Sequence, residues 1–591
     1  MSKTSSGDSR SLAPLVLWVT LAALVGARAV LAFAPGMSGW GLHLLRFVAP
    51  VPGWTLWLLS ALALVPTLAR RAMPWARRAG DAIAGHARGG PPWNAPLALA
   101  AAAGITAWWL PDRLFFVGDF LLRHGTAERA LEPAALFPQA LPLDVLLHYR
   151  LPRALAGTFG MDVALGERAL GSVEAAALGA LAVAFARAVN ARGAAALATA
   201  IVVLCGGYLG MYTGYGKAMA EMTLLTAGAA VLGLRSTTVP GALLPLGFCL
   251  AAALLLHRSA LGLLPAGALA WILCARATPG AWRRPAALAG AAVALLALVF
   301  MLPRIVTTML RFDAIHLTPP EVARAGGMLP AAVAGTRLLD LANLVVLLSP
   351  LAPAIPPLAM AARSRLRAPA PLLLGAFALP WVAMTLVLHV PQGIYRDWDN
   401  FAAAGMALSL VAAWLVAETL RDAPRTEWLA LAVVLGALAP SAQWLALHAD
   451  VERGLRRVEA FVGEPPARSE AERGTTWDFL GIRNAQLGRW DASAAALARA
   501  AETAPSPRVL LQWALAEQAR GRYADARDLF RRTSALTPGD SRAWLGLAIS
   551  SRHLHDYDEC RRAIGVLDRL RPGDPKVRAM LEDLERVNPT P

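Results

Sequence analysis

Long apolar runs broken by short polar connections fill the first three quarters of the chain. Crossing the hydrocarbon of a bilayer takes a helix of about 20 apolar residues, with roughly 17 to 25 tolerated. Runs of that kind fall at 12–33, 52–70, 95–111, 171–189, 193–212, 217–234, 239–256, 259–275, 285–303, 338–361, 369–389, 401–418 and 427–447, and predict thirteen spans. The first has Lys3 and Arg10 before it and Ala32, Phe33 and Ala34 at its end, like a signal-peptide cleavage site. Its apolar stretch is longer than a signal core and Pro35 would follow the cut, so it is read as a helix. From about Glu470 the apolar runs give way to soluble composition and a repeat. Trp477, Leu510 and Trp544 recur at intervals of 33 and 34, as do Pro505, Pro538 and Pro572. Gly488 and Gly521 stand at equivalent points, and Gly481, Ala514 and Ala548 supply a small residue at another.

That period matches the 34-residue tetratricopeptide pattern, in which small residues let paired helices touch and proline ends the second helix. Three repeats and a capping helix near 575–587 are expected, with the third repeat degenerate at His555 and Cys560. Stacking that many units buries a continuous core. The chain is therefore expected to be all-α: a polytopic helix bundle over 1–447, an amphipathic connector over 448–469, and a tetratricopeptide solenoid over 470–591. The solenoid's concave face would take a peptide or protein partner; capping the bundle is the alternative use.

Composition narrows this further. A 591-residue chain that is 57% hydrophobic, with mean hydropathy +0.48, is too apolar for an ordinary soluble protein and too long for one core. Its net charge of +16 suggests nucleic acid, but the arginines are spread through short loops, where they orient helices, and no face collects them. No nucleic-acid partner is expected. Arg70, Arg71, Arg77, Arg78 and Arg88, then Arg187 and Arg192, Arg235, Arg276, Arg283 and Arg284, Arg363, Arg365 and Arg367, and Arg421 and Arg425 mark six connections as cytoplasmic. The N-terminus then lies inside and the repeat tail outside. The four cysteines give neither a disulfide framework nor a metal motif.

The same parity puts the remaining polar clusters on the outer side. They are Asp112 and Asp119 in the long loop 112–170, Asp144 and His148 on its apolar return, and Tyr208, Tyr212, Tyr215, Lys217 and Glu221. His257 and Arg258 follow, then Arg304, Arg311, Asp313 and His316, and last Tyr395, Arg396, Asp397, Trp398 and Asp399. Ionisable groups at membrane depth are costly, so a gathering of them points to function.

An acid in the first long outer loop, the return segment Pro142-Leu143-Asp144-Val145-Leu146-Leu147-His148, many spans and outer polar clusters together resemble the GT-C fold of polyprenyl-phosphate-sugar-dependent glycosyltransferases. The bundle-plus-repeat layout also resembles the transmembrane and tetratricopeptide-containing O-mannosyltransferases. The resemblance implies a multi-pass protein of a bacterial inner (plasma) membrane, a polyprenyl-phosphate sugar donor, a protein or glycan acceptor, and a divalent metal (Mg or Mn). Two features depart from the family: Asp119 has no adjacent acid, and two extra spans precede the loop.

Such a transfer needs a carboxylate to take the acceptor's proton and cations for the departing phosphate. Asp119 is the expected base, with a loop cap or an ion pair to Arg113 or Arg123 as its other reading; Asp112 is the reserve. Arg396 is the expected phosphate ligand because a guanidinium fork matches phosphate oxygens, with His257, Arg258 and Lys217 beside it. Asp144, His148, Tyr215 and Trp398 would position acceptor or sugar, although Asp144 and His148, four residues apart on one helical face, also suit a structural pair, and Lys217, Tyr215 and Trp398 an interfacial anchor. Asp397 and Asp399 would hold the metal or orient Arg396; Asp399 also suits a helix cap. No Walker loop, His-Glu-x-x-His helix or Gly-x-Ser-x-Gly elbow occurs. The rival readings are a membrane-anchored scaffold presenting the repeats to an envelope assembly, and a lipid-linked glycan transporter.

Overall fold

The computed structural model describes residues 12–85, 91–118, 120–129, 132–133, 137–214, 216–314, 320–421 and 424–588. Every regular element among them is helical. They form two compact units, Met1–Val390 with Ile394–Gly454, and Pro391–Gly393 with Leu455–Pro591.

The first unit is a bundle of apolar helices. Seven of its described helices are long and apolar enough to cross a membrane: Ala13–Phe33, Val163–Ala188, Arg258–Ala277, Pro285–Asp313, Pro369–Val387, Trp398–Arg421 and Leu429–Ala449. Counting each of two bent pairs as one span gives nine. The expected thirteen is therefore not what helix length supports. The run 52–70 divides into Pro50–Ala63 and Pro66–Ala84, which meet at 97°. Pro66 has no N–H to continue the first helix, and it pushes Val65 into the extended region. The run 338–361 bends by 104° between Arg337–Leu348 and Ala352–Ala361. Other runs make short helices, such as Gly193–Leu204, which gives way to a tight turn over Gly207–Tyr212.

Burial separates inner from outer helices. In the most apolar 18-residue stretch of Trp398–Arg421 83% of the residues are buried, whereas in that of Pro285–Asp313 17% are, and Leu295, Leu296, Val299 and Phe300 are exposed. A contiguous apolar face of that kind is unfavourable in water and suits lipid or a protein partner. Packing among the helices is close where side chains are small. A Cβ on Gly80 would come within 1.7 Å of Gly193 O, and one on Gly247 within 2.1 Å of Gly290 O. Backbones in direct contact of this sort are how helices associate when lipid competes for every apolar side chain. Polar charge is left at the two ends. Val163–Ala188, Met219–Ser236 and Ala402–Arg421 each begin near acids (Glu167, Glu221 and Asp399) and finish in arginine (Arg187, Arg235 and Arg421).

The second unit carries three antiparallel helix pairs: Glu470–Gln486 with Trp490–Thr503, Pro507–Ala519 with Tyr523–Leu536, and Ser541–His553 with Tyr557–Leu570. A seventh helix, Pro575–Val587, follows. The sequence writes these starts plainly. Ser469 and Glu472 form a reciprocal capping box, Ser506 caps ahead of Pro507, and Asp540, Asp556 and Asp574 each accept a first-turn N–H. Small residues sit at the crossings: the Ala514 and Ala548 side chains are fully buried beside Phe530 and Cys560.

Candidate functional site

One end of the bundle collects ionisable side chains from segments far apart in sequence. Asp144 lies on the short helix Pro142–Val145, and the wider turn Leu146–Arg150 that follows carries His148. Their spacing of four residues brings His148 Nδ1 to 2.7 Å from Asp144 Oδ1. The other ring nitrogen, Nε2, lies 2.9 Å from Glu221 Oε1, so one imidazole bridges two carboxylates. Arg123 Nη1 approaches Asp144 Oδ1 at 3.3 Å. Glu174 lies beside Glu221 and extends the row of acids.

These groups hold each other's charge. Burial alone would raise the Asp144 carboxyl, but Arg123 and the His148 hydrogen bond outweigh it and hold it down to about 2. Burial would likewise discharge His148; Glu221 and Asp144 win, and the imidazole is pushed up to about 10. His257 goes the other way. Buried, and next to Arg258, it is held well below its ordinary value and is neutral. It accepts the Ser259 N–H at 3.2 Å and faces the charges of Asp144, Arg123 and Lys217.

The remaining cations arrive paired. Lys217 Nζ meets Asp399 Oδ2 at 2.5 Å, with both side chains buried. Arg258 forms a two-pronged ion pair with Asp313, its Nη2 donating to Oδ1 at 2.6 Å. Arg396 Nη2 lies 3.5 Å from the carbonyl of Gly118. Asp119 and Tyr215 lie outside the described residues. The chain on either side of Asp119 is described: Gly118 meets Arg396, and the helix Phe120–Glu128 is tied down by Arg123 to Asp144 and by His124 Nδ1 to Glu167 Oε2 at 2.8 Å.

Trp398 and Asp112 both have partners within the bundle. Trp398 is completely buried, edge-on to Trp444 at 5.4 Å between centroids, and packs the bundle. Asp112 accepts the Phe115 N–H at 2.7 Å and pairs with His448. It is a fold-holding residue, steadying Phe115 at φ +58° and joining the loop to the helix Leu429–Ala449. His448, assigned from sequence to the connector, belongs to this end of the bundle. Asp399 is engaged by Lys217, and Asp397 heads the turn Trp398–Phe401. Among the described residues no group of three or more His, Cys, Asp or Glu side chains is arranged to hold a metal. Glu174 and Arg123 join the cluster without having been assigned to it, and Glu221, grouped with Lys217 in the sequence, meets His148. Their signal was present as charges inside or beside apolar runs.

The Tetratricopeptide repeat family matches residues 517–584, and with the helix pairs this makes the tail a tetratricopeptide array. No curated protein matches the chain. Among solved structures, the first tetratricopeptide domain of Spaghetti (RPAP3), bound to an HSP90 peptide, is 14% identical at a TM-score of 0.19 and covers 20% of this chain and 98% of its own. The Cut9–Hcn1 hetero-tetramer of APC/C is 14% identical at a TM-score of 0.21, over 76% of this chain and 98% of its own.

Proposed function

We propose that the chain is an integral membrane glycosyltransferase of the GT-C type that moves a sugar from a polyprenyl-phosphate donor to a protein or glycan acceptor at the outer face of a bacterial plasma membrane. One observation supports this most: Asp144, His148, Lys217, Glu221, His257, Arg258, Arg396 and Asp399, drawn from four remote segments, gather at a single end of an apolar bundle. In the step proposed, the acceptor oxygen bonds to the anomeric carbon while that carbon's bond to the phosphate oxygen breaks. The bonding pair leaves with the phosphate, and the acceptor proton passes to Asp119. Arg396, next to Gly118, takes the phosphate charge. Lys217 and Arg258 present less charge because Asp399 and Asp313 already hold them. The Asp144–His148–Glu221 row fixes the wall against which the acceptor is placed.

The test uses membranes containing the full chain, polyprenyl-phosphate-linked mannose, glucose and arabinose, and protein- or glycan-bound sugar as readout. Asp119→Asn should lower transfer by about 100-fold or more, the usual scale for a lost general base. Arg396→Gln should do the same, while both proteins remain folded. The competing scaffold reading draws on the family match lying wholly in the tail. It takes over if both variants keep full biological activity while removal of 470–591 abolishes it.

A further inference from the structure

The opposite end of the bundle holds a cavity of about 910 Å³. Arg187, Arg235, Arg365 and Arg421 line it with a single acid, Glu418, so its described walls carry a net charge of +3. Glu418 is fully used: Oε2 meets Arg365 at 2.7 Å and Oε1 meets Arg421 at 2.6 Å. Arg187 is fixed by carbonyls instead, donating to Ile83 O at 2.6 Å and Pro92 O at 2.7 Å, which orients the guanidinium without cancelling its charge. Arg235 is exposed.

Arginine at a helix C-terminus has an ordinary explanation, since it offsets the negative end of the helix dipole. That covers Arg187, Arg235 and Arg421, each in the last turn of its helix. It does not cover Arg365, which precedes the opposite, positive end of Pro369–Val387, where Ala368, Pro369 and Ala370 also line the cavity. Nor does it explain why four cations from different connections surround one open volume. Asn190, Thr237 and Thr238 add polar lining, and Pro96, Ala180, Ala184, Leu234 and Trp414 supply apolar lining. A volume lined by both cations and apolar side chains fits an amphiphile.

We infer that this cavity binds the phosphate headgroup of an anionic membrane lipid, with its chain along the apolar lining. Basic pockets between helices at the cytoplasmic surface recognise such headgroups. The inference rests on the membrane placement proposed above, but not on sugar transfer, because the cavity lies at the other end of the bundle from Arg396.

The purified full chain in phosphatidylglycerol or phosphatidylcholine nanodiscs, released for native mass spectrometry, tests it. Phosphatidylglycerol should stay bound and phosphatidylcholine should not. Arg235→Gln with Arg365→Gln should weaken phosphatidylglycerol retention by about tenfold or more, the loss of two charge-assisted contacts. Arg276→Gln, an exposed arginine at the same end but outside the cavity, should leave it unchanged. Equal retention of the two lipids, an equal loss in Arg276→Gln, or release of the lipid by inorganic phosphate at matching concentration would each overturn the headgroup assignment; the last would point to a soluble anion. Sugar transfer measured on the same double variant separates this outcome from failure of the transferase reading.

Discussion

His148 is the residue on which the polar end of the bundle turns. Removing the side chain that bridges two buried carboxylates takes the imidazolium from Glu221 and leaves Asp144 with Arg123, and breaking a buried pair costs about 3–5 kcal/mol. His148→Ala should therefore lower the unfolding temperature strongly in detergent, and Glu221→Gln less. The pH dependence carries a sign. His148 is raised from 6.5 to about 10, so its contribution is complete below pH 6.5 and is lost as pH rises through 10. Asp144 is lowered from 3.8 to about 2, so its contribution is complete above pH 3.8 and is lost as pH falls through 2. Thermal scans should show wild type and His148→Ala furthest apart between pH 3.8 and 6.5, converging toward pH 10. Asp112→Ala should cost about 1–3 kcal/mol through the orphaned Phe115 N–H and His448, with sugar transfer per folded molecule unchanged. A loss of transfer in fully folded Asp112→Ala would return that acid to the chemistry.

At the level of helices, contact depends on what is missing from the side chain. A Cβ on Gly80 would meet the carbonyl of Gly193 and not a flexible side chain, so the backbones of Pro66–Ala84 and Gly193–Leu204 must separate to admit it. Gly80→Val should destabilise the bundle by about 1–3 kcal/mol, whereas Gly157→Val, with open space around it, should not; thermal unfolding of the two variants decides this. Helices of this kind are readable in sequence only in part. Apolar length marks where a helix can run, but the bends at Val65 and between Leu348 and Ala352 depend on proline and on neighbours, and so thirteen runs yield, among the described residues, seven to nine helices long and apolar enough to cross a membrane. The site divides the same way. A histidine four residues from an aspartate shows its pairing, and Asp144 with His148 was legible for that reason. Arg258 and Asp313, 55 residues apart, and Asp112 and His448, 336 apart, were not, because local spacing carries no information about which charge meets which across a bundle.

The whole molecule joins two sources of stability that behave differently. The bundle leaves Leu295, Leu296, Val299 and Phe300 exposed, while the tail closes its own core from Leu510 through Leu584. The 33- and 34-residue period revealed that core because each repeat buries the same positions against its neighbour. The tail should therefore fold alone: residues 470–591 expressed without the bundle should be monomeric, helical by circular dichroism and cooperative in urea. Cys560 reports on this directly. It is completely buried within the cluster, and burial pushes its thiol up, so it should resist a thiol reagent in buffer and react at once in denaturant. Cutting the fragment before Pro575 removes Val577 and Leu584, which pack on the last pair, and uncovers the face carrying Ile564 and Leu567. That shorter fragment should lose cooperativity and expose Cys560. If it stays protected, the final helix is dispensable and the third pair closes the array by itself.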